Sequence, residues 1–142
     1  MFNEKILEEK IYILLDTKLE NITKLTIEIE KYSKNFIPDS QAYEFAVAID
    51  EFVTNVISHG KIRRNIIIIS IFFKNNEMIA VIKDWSDRFI PPLVVDKKKF
   101  SFDKLEAGGL GLFLIQEFVD EVRFLYDEKT NANLTVMKKY VF

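Results

Sequence analysis

The chain contains no cysteine, one histidine, three prolines and four glycines among its 142 residues. Without cysteine there are no disulfides, no thiolate metal ligands and no thiol nucleophile. A single histidine, His59, excludes zinc sites built from several imidazoles. Long apolar runs are missing as well. The longest, residues 66–73, is broken by Ser70 and falls far short of the ~20 residues that cross a bilayer. The opening Met1-Phe-Asn-Glu-Lys5 has no apolar signal region, so the expectation is a cytoplasmic protein that does not engage membranes. Nor is there an excess of positive charge: the formal net charge is −2. Nucleic acid is therefore not expected as a direct partner, because phosphate neutralisation needs a basic surplus.

What is present suits a packed core. The chain is 49% hydrophobic and carries thirteen phenylalanines, and its length fits one domain over residues 1–142. Residues 6–15 alternate imperfectly and read as a first strand. Thr17-Lys-Leu-Glu20 has the form of a capping box. The spacing of Ile22, Leu25, Ile29, Tyr32 and Phe36 predicts an amphipathic helix of roughly five turns. Pro38 stops it, and Asp39 or Ser40 can cap a second helix with Ala42, Phe45, Ile49, Phe52, Val53 and Val56 on its buried face. Gly60 fits the glycine that ends a helix. Residues 65–74 and 78–83 read as a hairpin around Asn75-Asn76-Glu77. Residues 84–107 are irregular, with Pro91-Pro92 and Lys97-Lys98-Lys99. A helix over 110–119 and strands near 121–126 and 133–141 complete the chain. The order β-α-α-β-β-loop-α-β-β predicts an α+β, two-layer sandwich: a mixed sheet with helices on one face.

Three stretches have the residue types that chemistry needs. In Ala48-Ile-Asp-Glu-Phe-Val-Thr-Asn-Val-Ile-Ser-His59, residues Glu51, Asn55 and His59 are four apart and share one helix stripe. A carboxylate there can act as general base, and an amide oxygen one turn later can ligate Mg²⁺; a solvated helix edge would look the same. Asp84 directly follows an apolar strand, at the end of a sheet, where it can accept a hydrogen bond from the amine of a base; an ordinary turn aspartate would look the same. Ala107-Gly-Gly-Leu-Gly-Leu112 gathers three of the four glycines before a helix. Backbone N–H groups there can approach an anion at the positive helix end, or the stretch can be a plain flexible join. Neither a P-loop nor a dinucleotide fingerprint fits: no lysine follows the glycines, and Leu114 stands where the last glycine would be. Protein-kinase signatures such as His-Arg-Asp and Asp-Phe-Gly are absent. Adjacent Ser58 and His59 point about 100° apart and cannot act as a dyad, and Trp85 reads as a packing residue.

Taken in order, the three stretches resemble the GHKL ATPases, and most closely the small anti-sigma-factor serine kinases of the RsbW type. The resemblance covers about residues 40–140, and its most specific part is Gly108-Gly-Leu-Gly-Leu-Phe-Leu-Ile-Gln-Glu-Phe-Val-Asp-Glu-Val122. It implies a Bergerat ATP-binding fold, with ATP and Mg²⁺ as cofactors. By this resemblance Glu51 matches the general base, Asn55 the Mg²⁺ ligand and Asp84 the residue that binds the adenine amino group. Gly108, Gly109, Leu110, Gly111 and Leu112 match the phosphate loop, and residues 90–107 the ATP lid. The sequence departs from the family at Asp84-Trp-Ser-Asp-Arg88, where Ser86 and Arg88 replace two usual glycines; a residue with a Cβ resists positive φ. The strand over 133–140 also lacks the common Gly-Thr pair.

The function so implied is a Mg-ATP-dependent serine kinase and anti-sigma factor. It would phosphorylate an anti-anti-sigma (STAS-type) protein and sequester a sigma factor. A homodimer is implied by the resemblance alone. The alternative is a non-catalytic nucleotide-binding or protein-sequestering module of the same fold. Phosphorylation of a histidine ranks last, since His59 lies inside the expected ATP site.

Overall fold

The computed structural model describes residues 1–7, 9–88 and 109–141. Along them run β1 (Phe2–Leu7), β2 (Lys10–Leu15), α1 (Asn21–Ser33), α2 (Asp39–His59), β3 (Ile67–Lys74), β4 (Glu77–Asp84), α3 (Gly109–Phe118), β5 (Glu121–Asp127) and β6 (Ala132–Tyr140). The strands form one sheet in the order β1-β2-β3-β4-β6-β5. The α+β two-layer expectation holds, but the sheet is not mixed. Every neighbouring pair is antiparallel. The reason is topological. β4 and β5 each pair antiparallel with β6, so they run in the same direction. β6 then inserts between them and removes the parallel pair.

Cross-strand partners point to the same face, so register shows what the helices cover. One row is Ile13, Ile69, Ile82 and Thr135; the next is Ile11, Ile71, Ala80 and Met137. All eight are buried. Against them pack Leu25 and Ile29 of α1, Phe45, Ile49 and Val53 of α2, and Ile115 of α3. Each fully buried Ile or Leu contributes roughly 1.5–3 kcal/mol of transfer free energy. The alternate residues Tyr12, Leu14, Ile68, Val81, Leu134 and Val136 face the other way and stay half-buried or exposed. The described helices thus lie on one face.

Several local expectations change. The imperfect alternation of residues 6–15 marks a reversal, not one strand. Glu9 takes φ 64, and β1 folds back on β2 with Ile6 opposite Ile11. The capping box does not form. Glu20 is the N-cap without a side-chain cap bond, and the Thr17 hydroxyl bonds to Asn65 Oδ1 at 3.2 Å instead. α1 is 13 residues long, shorter than five turns. Phe36 leaves the helix and stacks on Phe73 at 5.4 Å. Pro38 is the N-cap of α2, so Asp39 enters the first turn rather than capping it. The hairpin turn is tighter than expected: Asn75 and Asn76 alone form it, at φ 52 and 59, as a two-residue primed turn requires. The buried face of α2 is Ala42, Phe45, Ala46, Ala48, Ile49, Phe52 and Val53, with Val56 at its border.

Lys139 faces inward from β6 opposite Met78 and is buried. Its ammonium donates to Glu44 Oε2 of α2 at 2.8 Å and to the Phe118 carbonyl at the end of α3 at 2.6 Å. One cation thus ties two helices to the sheet and satisfies a helix-terminal acceptor. Lys139→Met is expected to cost about 1.5–3 kcal/mol, read as a lower urea midpoint. An unchanged midpoint would reject the tie.

Candidate nucleotide-binding site

The alternation that turns Ala80 and Ile82 inward also turns Asp84 inward, at the last position of β4. It sits between Ile67 and Asn133 in the final cross-sheet row. Asp84 is 2% exposed and Asn133 5%. A buried carboxylate needs donors, and the chain supplies them locally. Oδ1 of Asp84 accepts from the Ser86 backbone N–H at 2.9 Å, the Ser86 hydroxyl at 2.5 Å and Asn133 Nδ2 at 3.2 Å. Asn133 Nδ2 also reaches Ser86 O, Ser86 Oγ and Asp87 O within 3.1–3.2 Å. All four of these neighbours accept, so the amide orientation follows from them.

A third segment holds the same loop. The Arg63 N–H donates to Trp85 O at 2.8 Å. Its guanidinium donates to Ser86 O at 3.1 Å and Asn131 O at 2.8 Å. Trp85 is buried, donates its indole N–H to Thr130 O at 2.9 Å and lies under Arg64 at 4.4 Å, in keeping with a packing role. Positive φ among the described non-glycine residues occurs at Glu9, Asn75, Asn76 and Asn131 only. Ser86 and Arg88 therefore hold this loop without the backbone geometry that would call for glycine.

Beside Asp84 opens a cavity of about 370 Å³, within the range of small-molecule sites. Phe52, Ile115 and Phe124 give it apolar walls; Asn55, Asp84, Ser86, Asn133 and Thr135 give it polar groups; His59, Lys61 and Arg88 also line it. The structure brings Asn55 and Asp84 together on this cavity. Glu51 is not among its lining residues. It stands one turn before Asn55 on α2 and is half-buried. Burial raises its carboxyl pKa above the ordinary value, and the neighbouring Asp50 charge raises it further. Asp50 is itself fixed by the hydroxyls of Thr26 at 2.8 Å and Thr54 at 3.0 Å. Gly109, Leu110, Gly111 and Leu112 form the first turn of α3, one residue earlier than expected. Gly108, the proposed lid over 90–107 and the lysine run 97–99 lie outside the described residues. Among the described residues no group of three or more His, Asp or Glu side chains is placed to hold a metal, and no helix is long and apolar enough to cross a membrane.

Gly60 ends α2, but not by a left-handed turn: φ is −71 and ψ 141. Space is the reason for glycine. A Cβ there would sit 2.5 Å from Val56 O and 2.9 Å from Ser86 Cβ. The sequence reading singled out Asn55 and Asp84, which both line the cavity, and did not single out Asn133, Arg63 or the close approach at Gly60. The one available sign was inward alternation on β6, which places Asn133 and Thr135 on the face of Met137.

The chain matches the histidine kinase-like ATPase domain family over residues 15–139, and it belongs to that family. Among named proteins it is similar to the serine-protein kinases RsbW of Staphylococcus aureus strains bovine RF122 / ET3-1 and MRSA252. Each is 34% identical over 103 residues, which cover 67% of this chain and 63% of the relative. The match thus spans a little under two thirds of those relatives' length. The resemblance to RsbW-type proteins is borne out. Among solved structures, the RsbU and RsbW domains of Rv1364c from Mycobacterium tuberculosis superpose with a TM-score of 0.65 at 16% identity, over 92% of this chain and 32% of that one. The fold is shared.

The close approach at residue 60 is testable. Gly60→Ala is expected to lower stability by about 1–3 kcal/mol through overpacking against Val56 and Ser86. Equal urea midpoints for variant and parent would contradict it.

Proposed function

We propose that this domain binds Mg-ATP between α2, α3 and the end of β4, and transfers its γ-phosphoryl group to a serine of an anti-anti-sigma (STAS-type) protein. In a competing complex the same domain sequesters a sigma factor. The observation that carries the reading is the cavity shared by Asn55 and the buried acceptor Asp84, in a chain whose relatives are named serine-protein kinases. Asp84 accepts the adenine amino group. Asn55 would offer an amide oxygen to Mg²⁺, which would offset the charge on the phosphates. The first turn of α3, with Gly109 and Gly111, presents backbone N–H groups to the phosphates. Gly108 and the lid over 90–107 belong to the same proposal.

Glu51 stands one turn before Asn55, about 6 Å along the axis of α2, outside the lining of the base cavity. It takes the serine proton as the hydroxyl oxygen forms its bond to phosphorus and ADP leaves. Its raised pKa suits a proton acceptor. The alternative, a sequestering module without catalysis, drew on the missing glycines. The loop holds Asp84 without them, which removes that ground.

Incubation of the domain with Mg-ATP and the candidate partner should yield one phosphoserine by mass spectrometry. Glu51→Ala should keep ATP binding and slow transfer by roughly 10²–10⁴-fold; full transfer by this variant would reject the base assignment. Because the base must be ionised, the rate should fall as pH drops through a Glu51 pKa that burial holds above the ordinary carboxylate range. Asp50→Asn removes a neighbouring negative charge, so it should move this acid limb to lower pH. A limb that stays in place would separate Glu51 from the proton transfer.

A further inference from the structure

The cavity reading assigns base recognition to Asp84 but leaves open what aims the carboxylate. We propose that Ser86 and Asn133 are positioning residues. They saturate one oxygen of Asp84 and leave the other as a single, oriented acceptor for an exocyclic amine. The proposal rests on the reading of this cavity as a nucleotide-base site.

Three donors converge on Oδ1: the Ser86 N–H, the Ser86 hydroxyl and Asn133 Nδ2. None of the described residues bonds to Oδ2, and Asp84 lines the cavity. With Oδ1 fixed at three points, the carboxylate plane is fixed and Oδ2 has one direction. Asn133 does more than donate to Asp84. It spans from β6 to Ser86 O, Ser86 Oγ and Asp87 O, so it sews the loop to the neighbouring strand. Arg63 closes the loop from the opposite side through Trp85 O and Ser86 O. Gly60 leaves just enough space for the Ser86 side chain. The serine at position 86 is thus a built part of the site. A glycine there would keep the N–H bond and lose the shortest contact to Asp84, the hydroxyl at 2.5 Å.

An acceptor held in one direction reads the 6-position of a purine. It favours an amino group, gains nothing from hydrogen and repels a 6-oxo group. Loosening the carboxylate should erode this discrimination more than it erodes triphosphate binding itself, which depends on contacts elsewhere.

The test is calorimetric titration with Mg²⁺ complexes of ATP, purine riboside triphosphate and inosine triphosphate. The parent should prefer ATP to the other two. Ser86→Ala, Ser86→Gly and Asn133→Ala should each lower that preference roughly 10-fold. Ser86→Ala/Asn133→Ala should lower it little further, because both side chains act on one oxygen. Lys139→Met serves as the control: it should lose stability and keep the parent preference. If Asn133→Ala does not fold, the two Ser86 variants carry the test. Variants that keep the parent preference, while Asp84→Ala abolishes it, would overturn the positioning role and leave the base site standing. Equal weakening of all three triphosphates would also overturn it, as the mark of a merely structural role. A parent that does not distinguish ATP from purine riboside triphosphate would overturn the cavity reading, and this proposal with it.

Discussion

A carboxylate buried at the end of a strand must be met by hydrogen-bond donors, and that requirement organises this end of the molecule. Asp84 is inward because β4 alternates, and it is buried because helices cover that face. Left without donors it would cost several kcal/mol. The chain meets the demand with a serine two residues on, an asparagine across the sheet and an arginine that braces the loop joining them. The cavity opens beside this buried carboxylate, between α2, α3 and the end of the sheet.

How much of this was legible follows from the range of each interaction. Local periodicity marked the faces of α1 and α2 and placed Asp84 at a strand end. It failed where the signal depended on a partner far along the chain. Thr17 and Glu20 have the right spacing for a cap, yet Thr17 bonds to Asn65, 48 residues away. Gly60 looked like a left-handed terminator. Its constraint is close approach, to the Val56 carbonyl one turn back and to Ser86, which no local rule connects to it. A mixed sheet was expected, but nothing in the sequence told that β6 would slip between β4 and β5 and leave every neighbouring pair antiparallel. Asn133 stood in plain view as an inward polar residue on a strand. Its meaning appeared only with the register that sets it beside Asp84.

The fold separates tasks by distance from the sheet end. The rows through Ile13 and Ile11 are apolar from β2 to β4 and supply cohesion. The next row, Leu15-Ile67-Asp84-Asn133, changes to polar halfway across, over the two strands that face the cavity. α2 crosses both regimes: Phe45 and Ile49 sit in the core, while Asn55 and His59 reach the cavity. One helix of 21 residues can therefore anchor itself with its first half and offer ligands with its second. Lys139 performs the opposite service at the other end of β6, where a buried cation ties down α2 and α3.

The distribution of glycine then has a physical reading. Glycine gives a loop access to unusual backbone geometry at the cost of chain entropy. Residues 85–88 after β4 use ordinary geometry and fix it with side-chain hydrogen bonds. Binding to a segment held in this way orders less of the chain. Glycine is kept for two other needs. At residue 60 it makes room for the serine that does the fixing. At 109 and 111 it opens the first turn of α3, where in the proposed site backbone rather than side chain meets the phosphates. Preorganisation at the base and bare backbone at the phosphates are complementary solutions. Each suits the ligand group it would face, since an amine is read by direction and a phosphate chain by close approach.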